Sequence, residues 1–385
     1  FEAAMKTLEM DVPDGKERSA RAKELEAAHP HVMVMRDEVD RKAFILKRGQ
    51  YDDKGEEVGP GLPQAFSPVP EGKHLTRLDL ARWLVDGKHP LTSRVFVNRI
   101  WEQFFGIGIV KSSENLGRQS DWPSHPELLD WLAVDFVDSG WDVKGLIKGL
   151  VMSQAYRQSS IIDDERLQRD PENRLLTRGP RTRLQAEMLR DQALFLSGLL
   201  VERLGGPSWW VYQPAGLWLE VEKRGTFVQD HGEKLYRRSL YSRIRRTVAP
   251  PSMLLFDMPS REMCSVKRTL TNTPLQALAL LNEVTYVEAA KKFAERMITK
   301  GGTPAERIAW GFRCATSRVA EKEELEILVK GYERRVEHYR RDGKATENLL
   351  GQGESKVADY LPKPEMAALT TVANVILNLD EVINR

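Results

Sequence analysis

The chain has 385 residues, of which 41% are hydrophobic and 30% charged, and it carries a net charge of +2. That length suits two or three packed units, and the near balance of charge argues against a general affinity for nucleic acid or anionic membranes. No apolar run reaches the length of a membrane span: Phe195 to Val201 is broken by Ser197 and Gly198.

Cys264 and Cys314 are the only cysteines, and one possible pair says little about redox compartment. A C-x-x-C-H haem site, any C-x-x-C pair, H-E-x-x-H, a GxGxxG turn and a P-loop are all missing, and the histidines show no metal spacing. No cofactor is therefore expected on this chain. It opens on Phe1 and reads as a processed product or a domain cut from something longer.

From Phe1 to about Ala28 the sequence is charged and helix-prone, interrupted by Pro13-Asp14-Gly15. His31 to Met35 and Ala43 to Leu46 flank a polar turn and predict a β-hairpin. Gln50 to Gly72 is rich in Gly, Pro and acidic residues and reads as an extended connector. Residues 1–74 thus form an N-terminal linker and hairpin, and 75–385 a helical domain with a possible sub-boundary near 205–235.

Leu78, Ala81, Leu84 and Val85 give the apolar side of a helix from about Thr76 to Val85. Thr92 or Ser93 can cap the next, whose Val97, Ile100, Trp101, Phe104 and Phe105 follow a strong amphipathic pattern. Ser124 and Glu127 have capping-box spacing before Leu129, Leu132, Ala133 and Phe136. Further helices are expected over Val143 to Tyr156 and over Thr182 to Leu204, the latter stopped by Gly205-Gly206-Pro207. Leu240, Ser242 and Ile244 alternate with Tyr241, Arg243 and Arg245 as an edge strand would.

The organising stretch is REMCSVKRTLTNTPLQALALLN, from Arg261 to Asn282. A polar, basic segment leads into a helix that Asn272 or Thr273 can cap, with Pro274 in its first turn. Leu275, Leu278, Ala279 and Asn282 repeat at helical spacing and predict a buried helix. Beyond it, helices are expected over Glu283–Thr299, Pro304–Ala315, Glu321–Arg341 and Glu365–Asp380, with a polar connector from Gly343 to Pro364. The fold class is mainly α, with a small N-terminal hairpin and a few short strands.

Several blocks in order, among them LTSRVFVNRIWEQFFGIGIV, HPELLDWLAVDFVDSGW, DPENRLL, RLQAEMLRDQAL, MLLFDMPSRE and TNTPLQALALLN, carry a family likeness. From about Leu75 to Asn384 the chain resembles the planctomycete-specific C-terminal domain of large secreted proteins of planctomycetes and verrucomicrobia. The resemblance implies an extracytoplasmic multidomain parent with haem c on an upstream cytochrome c-type module. It carries no catalytic residue, because that domain's biochemistry is unassigned.

On a helix spanning 182–204, Arg183, Glu187, Arg190 and Asp191 would share a face. Two carboxylates among arginines could bind a polar substrate or divide acid and base roles; a structural ion-pair network is the competing account. Arg237, Arg238, Arg261, Lys267 and Arg268, with Asn272 nearby, could recognise an anionic glycan, or could close salt bridges with Glu187, Asp191, Asp257 and Glu262. His125 is a candidate base in a helix-starting turn, where capping is the simpler role. Cys264 is reactive only if a neighbouring cation lowers its pKa, and a buried thiol is the default. Trp209, Trp210, Tyr212 and Trp218 suit a sugar-stacking surface or a core equally.

Two readings follow. One is an accessory domain that docks the cytochrome c-type module, a partner protein or a glycan, its charges paired internally. The other is an enzyme domain acting on a polysaccharide-derived substrate, with Glu187, Asp191, Arg261 and Arg268 converging on a cleft and electrons passing to the upstream haem.

Overall fold

The computed structural model describes residues 2–13, 15–29, 32–34, 42–63, 65–66, 75–214, 216–217, 227–245 and 248–384. It divides into two compact units, Phe1–Asp86 and Gly87–Arg385. In the first, α1 (Glu2–Asp11) and α2 (Lys16–Ala28) pack together, burying Leu8 and Val12. Arg18 closes their turn by donating from Nε to the Val12 carbonyl at 2.8 Å.

A hairpin follows, but not between the expected partners. β1 (Ala43–Leu46) pairs antiparallel with β2 (Lys54–Val58), Ala43 opposite Val58 and Phe44 opposite Glu57. The reversal runs through Arg48 (φ 51°) and Gly49 (φ 78°), just before the stretch read as a connector, and β2 lies inside that stretch. Residues 32–34 are not strand, and His31 and Met35 lie outside the described residues. α3 (Arg77–Leu84) starts on a Thr76–Asp79 capping box, with the Thr76 N–H donating to Asp79 at 2.9 Å.

The second unit is built mainly from helices. α4 (Thr92–Phe105) and α5 (Pro126–Asp138) cross with α6 (Val143–Met152) around Val97, Trp101, Phe105, Leu132 and Phe136. Apolar spacing located these helices correctly, but two caps differ. The His89 ring Nδ1, not Thr92 or Ser93, accepts the Thr92 N–H at 3.1 Å. His125 occupies the N-cap position of α5 without a side-chain cap, because its ring faces the Ser124 hydroxyl at 3.0 Å and Ser124 turns to the Ile109 carbonyl.

Buried Asn98 clamps the FGIGIV segment after α4, accepting from Val110 N–H at 2.8 Å and donating to the Val110 carbonyl at 3.0 Å. A Cβ at Gly108 would sit 2.7 Å from the Asn98 amide, so the segment needs glycine there. Short helices α7 (Gln154–Arg157) and α8 (Asp164–Arg169) follow. Asp170, almost fully buried, then gathers the Arg174 and Leu175 N–H groups, and Arg174 reaches back to the Gly108 and Ile109 carbonyls.

α9 spans only Ala186–Ser197. The expected stop at Gly205 is too late: Gly198 already turns left-handed (φ 78°), and glycine adopts that conformation without a Cβ penalty. Instead of an edge strand, Ser239–Tyr241 forms a 3₁₀ turn. α10 (Pro251–Leu254), α11 (Pro274–Asn282), α12 (Val284–Thr299), α13 (Pro304–Thr316) and α14 (Lys322–Arg341) come next. α15 (Gly343–Leu350) lies in the stretch read as a connector, its N-terminus capped by the Asp342 carboxylate on the Ala345 N–H. α16 (Lys363–Leu377) and α17 (Asp380–Ile383) finish the chain.

α12 is the central pillar. Ala289, Ala290, Phe293, Ala294 and Met297 are buried on it, and α16 meets it with Ala367, Ala368 and Ala373. Small side chains let the two helices approach closely, so large neighbours such as Phe312, Leu369 and Ile376 fill the space around them. A second core, built on Trp209, Leu235, Met253, Phe256 and Tyr286, packs α9 against α12. The whole is mainly α, and the one sheet among the described residues is two-stranded.

Candidate functional site

The RLQAEMLRD segment does not place its charges on one face, because the helix begins at Ala186 and Arg183 precedes it. Glu187 takes two hydrogen bonds from Arg268, Nη1 to Oε2 at 2.6 Å and Nη2 to Oε1 at 3.1 Å. Burial would raise its pKa, but Arg268, its own backbone N–H and the charge of Arg261 outweigh that and hold the carboxyl below its ordinary value. Arg261 is exposed, with left-handed backbone at φ 63°.

Asp191, one turn on, belongs to a different cluster. It accepts the Ser239 N–H at 2.7 Å and lies 3.5 Å from Arg238 Nε. Arg190 is buried between them and the core. Its Nη1 donates to the Arg237 carbonyl at 3.0 Å and to Ser239 Oγ at 3.2 Å, its Nη2 donates to the Leu235 carbonyl, and it stacks over Trp209 at 4.6 Å. Burial lowers its pKa, while the charges of Asp191 and Glu283 pull it back up. Arg237 is likewise spent on the Arg203, Gly205 and Pro207 carbonyls and stacks on Tyr241. Arg190 fastens the 235–239 loop to α9, Arg237 ties it to the 203–207 segment, and both offer little to a ligand.

The aromatic run divides as well. Trp209 is 1% exposed and belongs to the core, Trp210 lies under Arg243 at 4.5 Å, and Trp218 lies outside the described residues. His125 stands apart at the start of α5. Cys264 and Cys314 are both free and exposed, so the expectation of a buried Cys264 fails. Its neighbours Met263, Ser265 and Val266 are exposed as well, so the loop buries nothing around it.

Before α9, Arg183 Nη2 donates to Asn272 Oδ1 at 2.5 Å and Gln276 Oε1 at 3.1 Å. Gln276 is 1% exposed, and its Nε2 donates to the Leu255 carbonyl at 2.8 Å and to Thr271 Oγ1 at 3.0 Å. Thr271 in turn donates its N–H to Asp257 at 2.8 Å. The TNTPLQ turn is thus a knot of amides and hydroxyls, backed by the Asp257 carboxylate on Thr271, that holds Arg183.

Beside it opens a polar cleft of about 150 Å³, lined by Arg183, Gln185, Ser265, Lys267 and Arg268 together with Glu102 and Gln103 at the end of α4. Gln185 donates to Gln103 at 2.9 Å, and Lys267 lies 3.7 Å from Glu102. Sequence reasoning anticipated the arginines but not Gln103 and Gln185, which meet only through the packing of α4 near α9 and have no local signal.

The burial of Gln276 inverts α11. The expected core positions Leu275 and Leu278 are 58% and 56% exposed, while Gln276 and Leu280 face inward. The amide is drawn in because it completes the knot, and the leucines turn out. They border a groove of about 710 Å³ with Leu255, Pro214 and Val284, whose polar members include Tyr212, Glu283 and Glu354. Behind it, buried Glu288 accepts from Tyr212 at 3.0 Å and Tyr236 at 2.9 Å, which pushes both phenols up from their ordinary pKa after burial has already raised them.

Among the described residues no group of three His, Cys, Asp or Glu side chains could hold a metal ion, and no helix is long and apolar enough to cross a membrane. Residues 76–332 match the family model PSD1, described as a protein of unknown function (DUF1553). That match covers well over half of the chain, and the protein belongs to this family. No curated protein and no solved structure matches the chain.

Proposed function

We propose that this member of the PSD1 family is an accessory domain that works by docking another polypeptide, and that the groove beside α11 is its docking surface. One observation carries the reading: a helix that buries its glutamine and turns out two leucines leaves apolar surface open at a groove large enough to seat side chains. The charged groups support it from the other side. Glu187 and Asp191 hold separate partners, and Glu187 is kept ionised by Arg268, whereas a general acid needs a raised pKa.

The parent we infer is an extracytoplasmic multidomain protein, and the polypeptide docked is its cytochrome c-type module. Haem c itself does not fit this chain, because covalent attachment needs neighbouring cysteines followed by a histidine, and Cys264 and Cys314 are far apart in sequence.

The test is the affinity of the chain for the separately produced haem module, read by surface plasmon resonance, with Leu275→Ser and Leu278→Ser combined. Covering each half-exposed leucine contributes about 1–2 kcal/mol, so the double variant should bind at least about tenfold more weakly. Unchanged affinity in folded protein would remove the groove from the interface.

A further inference from the structure

The cleft beside Arg183 is independent of that docking groove. We propose that it binds a monovalent oxyanion, a carboxylate or sulfate ester, carried on a small polar molecule. Three cations reach it, Arg183, Lys267 and Arg268, and two carboxylates offset them: Arg268 is held by Glu187, and Lys267 lies near Glu102. The cation left over is Arg183.

Arg183 is unusual in how it is held. Its Nη2 rests on two neutral amide oxygens, and its Nη1 is shut from solvent with no hydrogen-bond partner. A guanidinium offers two parallel donors, which suit the paired oxygens of an oxyanion. Here one nitrogen is anchored by a buried, doubly bonded Gln276 and the other has its bonding capacity unmet. A small shift of the side chain would bring that nitrogen to an incoming oxygen and relieve the cost of leaving it unpaired.

The surroundings suit the same ligand. Thr182 supplies a hydroxyl, and Gln103 and Gln185 supply amides for a polar ligand body, while Ser265 borders the cleft at its exposed side. A cleft of about 150 Å³ equals the cavity that seats one benzene ring, so a larger ligand would enter by its acidic end. The single excess positive charge fits a monoanion better than a phosphate dianion.

The test titrates the whole chain at low ionic strength, by calorimetry, with sodium glucuronate, glucose 6-sulfate and neutral glucose. The acids should bind and glucose should not; whichever acid binds more tightly identifies the preferred group. Arg183→Gln should weaken binding about tenfold or more, the loss of one charge-assisted pair. Ser265 is exposed, so Ser265→Glu should fold normally and abolish binding by cancelling the excess charge, while Ser265→Gln should retain it. Acids that bind no better than glucose, or a Ser265→Glu protein that binds as the wild type does, would overturn the proposal. The Ser265 pair decides the matter even if the Arg183 variant unfolds.

Discussion

Replacing Arg190 by Met removes a guanidinium while keeping most of the apolar stem. The wild-type group donates to the Leu235 and Arg237 carbonyls and to Ser239 Oγ, and it covers Trp209. Each of the two carbonyls left without a donor costs about 1–3 kcal/mol. Loss of the stacking adds about 1–2 kcal/mol at a desolvated site. Against this, the variant no longer buries a charge, which returns part of the desolvation cost. The net expectation is a destabilisation of about 3 kcal/mol, or roughly 5 °C in Tm for the unit Gly87–Arg385. Thermal unfolding followed by circular dichroism reads it directly. Arg190→Lys keeps the charge but not the planar fork and should fall between the two. A Tm within about 2 °C of wild type for Arg190→Met would refute the view that this side chain fastens the 235–239 loop to α9.

Three further outcomes follow from the same geometry. Arg318 holds Glu324 and Glu381, and its hydrogen bonds lower the Glu324 pKa from 4.5 to about 2. The carboxyl is depressed in the folded state, so its stabilisation is complete above the ordinary value and lost as pH falls toward 2. Glu324→Gln should therefore reduce unfolding free energy at neutral pH by about 1 kcal/mol or less for so exposed a pair, read in urea unfolding, with no difference left near the folded pKa. Gly311→Ala would place a Cβ 2.7 Å from Met297 Cε and 3.0 Å from its Cγ, against a side chain with no room to move, and should cost about 1–3 kcal/mol in urea unfolding. Lys291→Met leaves the Leu350, Gln352 and Ser355 carbonyls without their shared donor, so amide exchange in the 350–355 turn should accelerate clearly.

The helices were legible wherever apolar residues repeat over three turns or more, as in α4, α5, α13 and α14. Reading failed where one side chain overrides the pattern. Gly198 ends α9 early because its left-handed backbone closes the helix before the Gly-Gly-Pro signal is reached. Asp342 starts α15 in a stretch whose composition looks like loop. Gln276 reverses the faces of α11, since its buried amide bonds to four groups and a buried polar group left unpaired is costly. The candidate site was legible in its residue types and in the expectation that its arginines meet Glu187 and Asp191, but not in which arginine meets which partner. Arg268 with Glu187 and Arg183 with Gln276 join segments about ninety residues apart, separations of 81 and 93, and local spacing carries no information about them.

The central claim is that the groove beside α11 is a docking surface. A photoreactive phenylalanine analogue at position 278 of the intact parent protein, with another at exposed Val319 as control, tests it most directly. The account predicts a cross-link from position 278 into the cytochrome c-type module and none from position 319. Equal capture from the two positions, or no capture from position 278 in protein that folds and carries its haem, would contradict it.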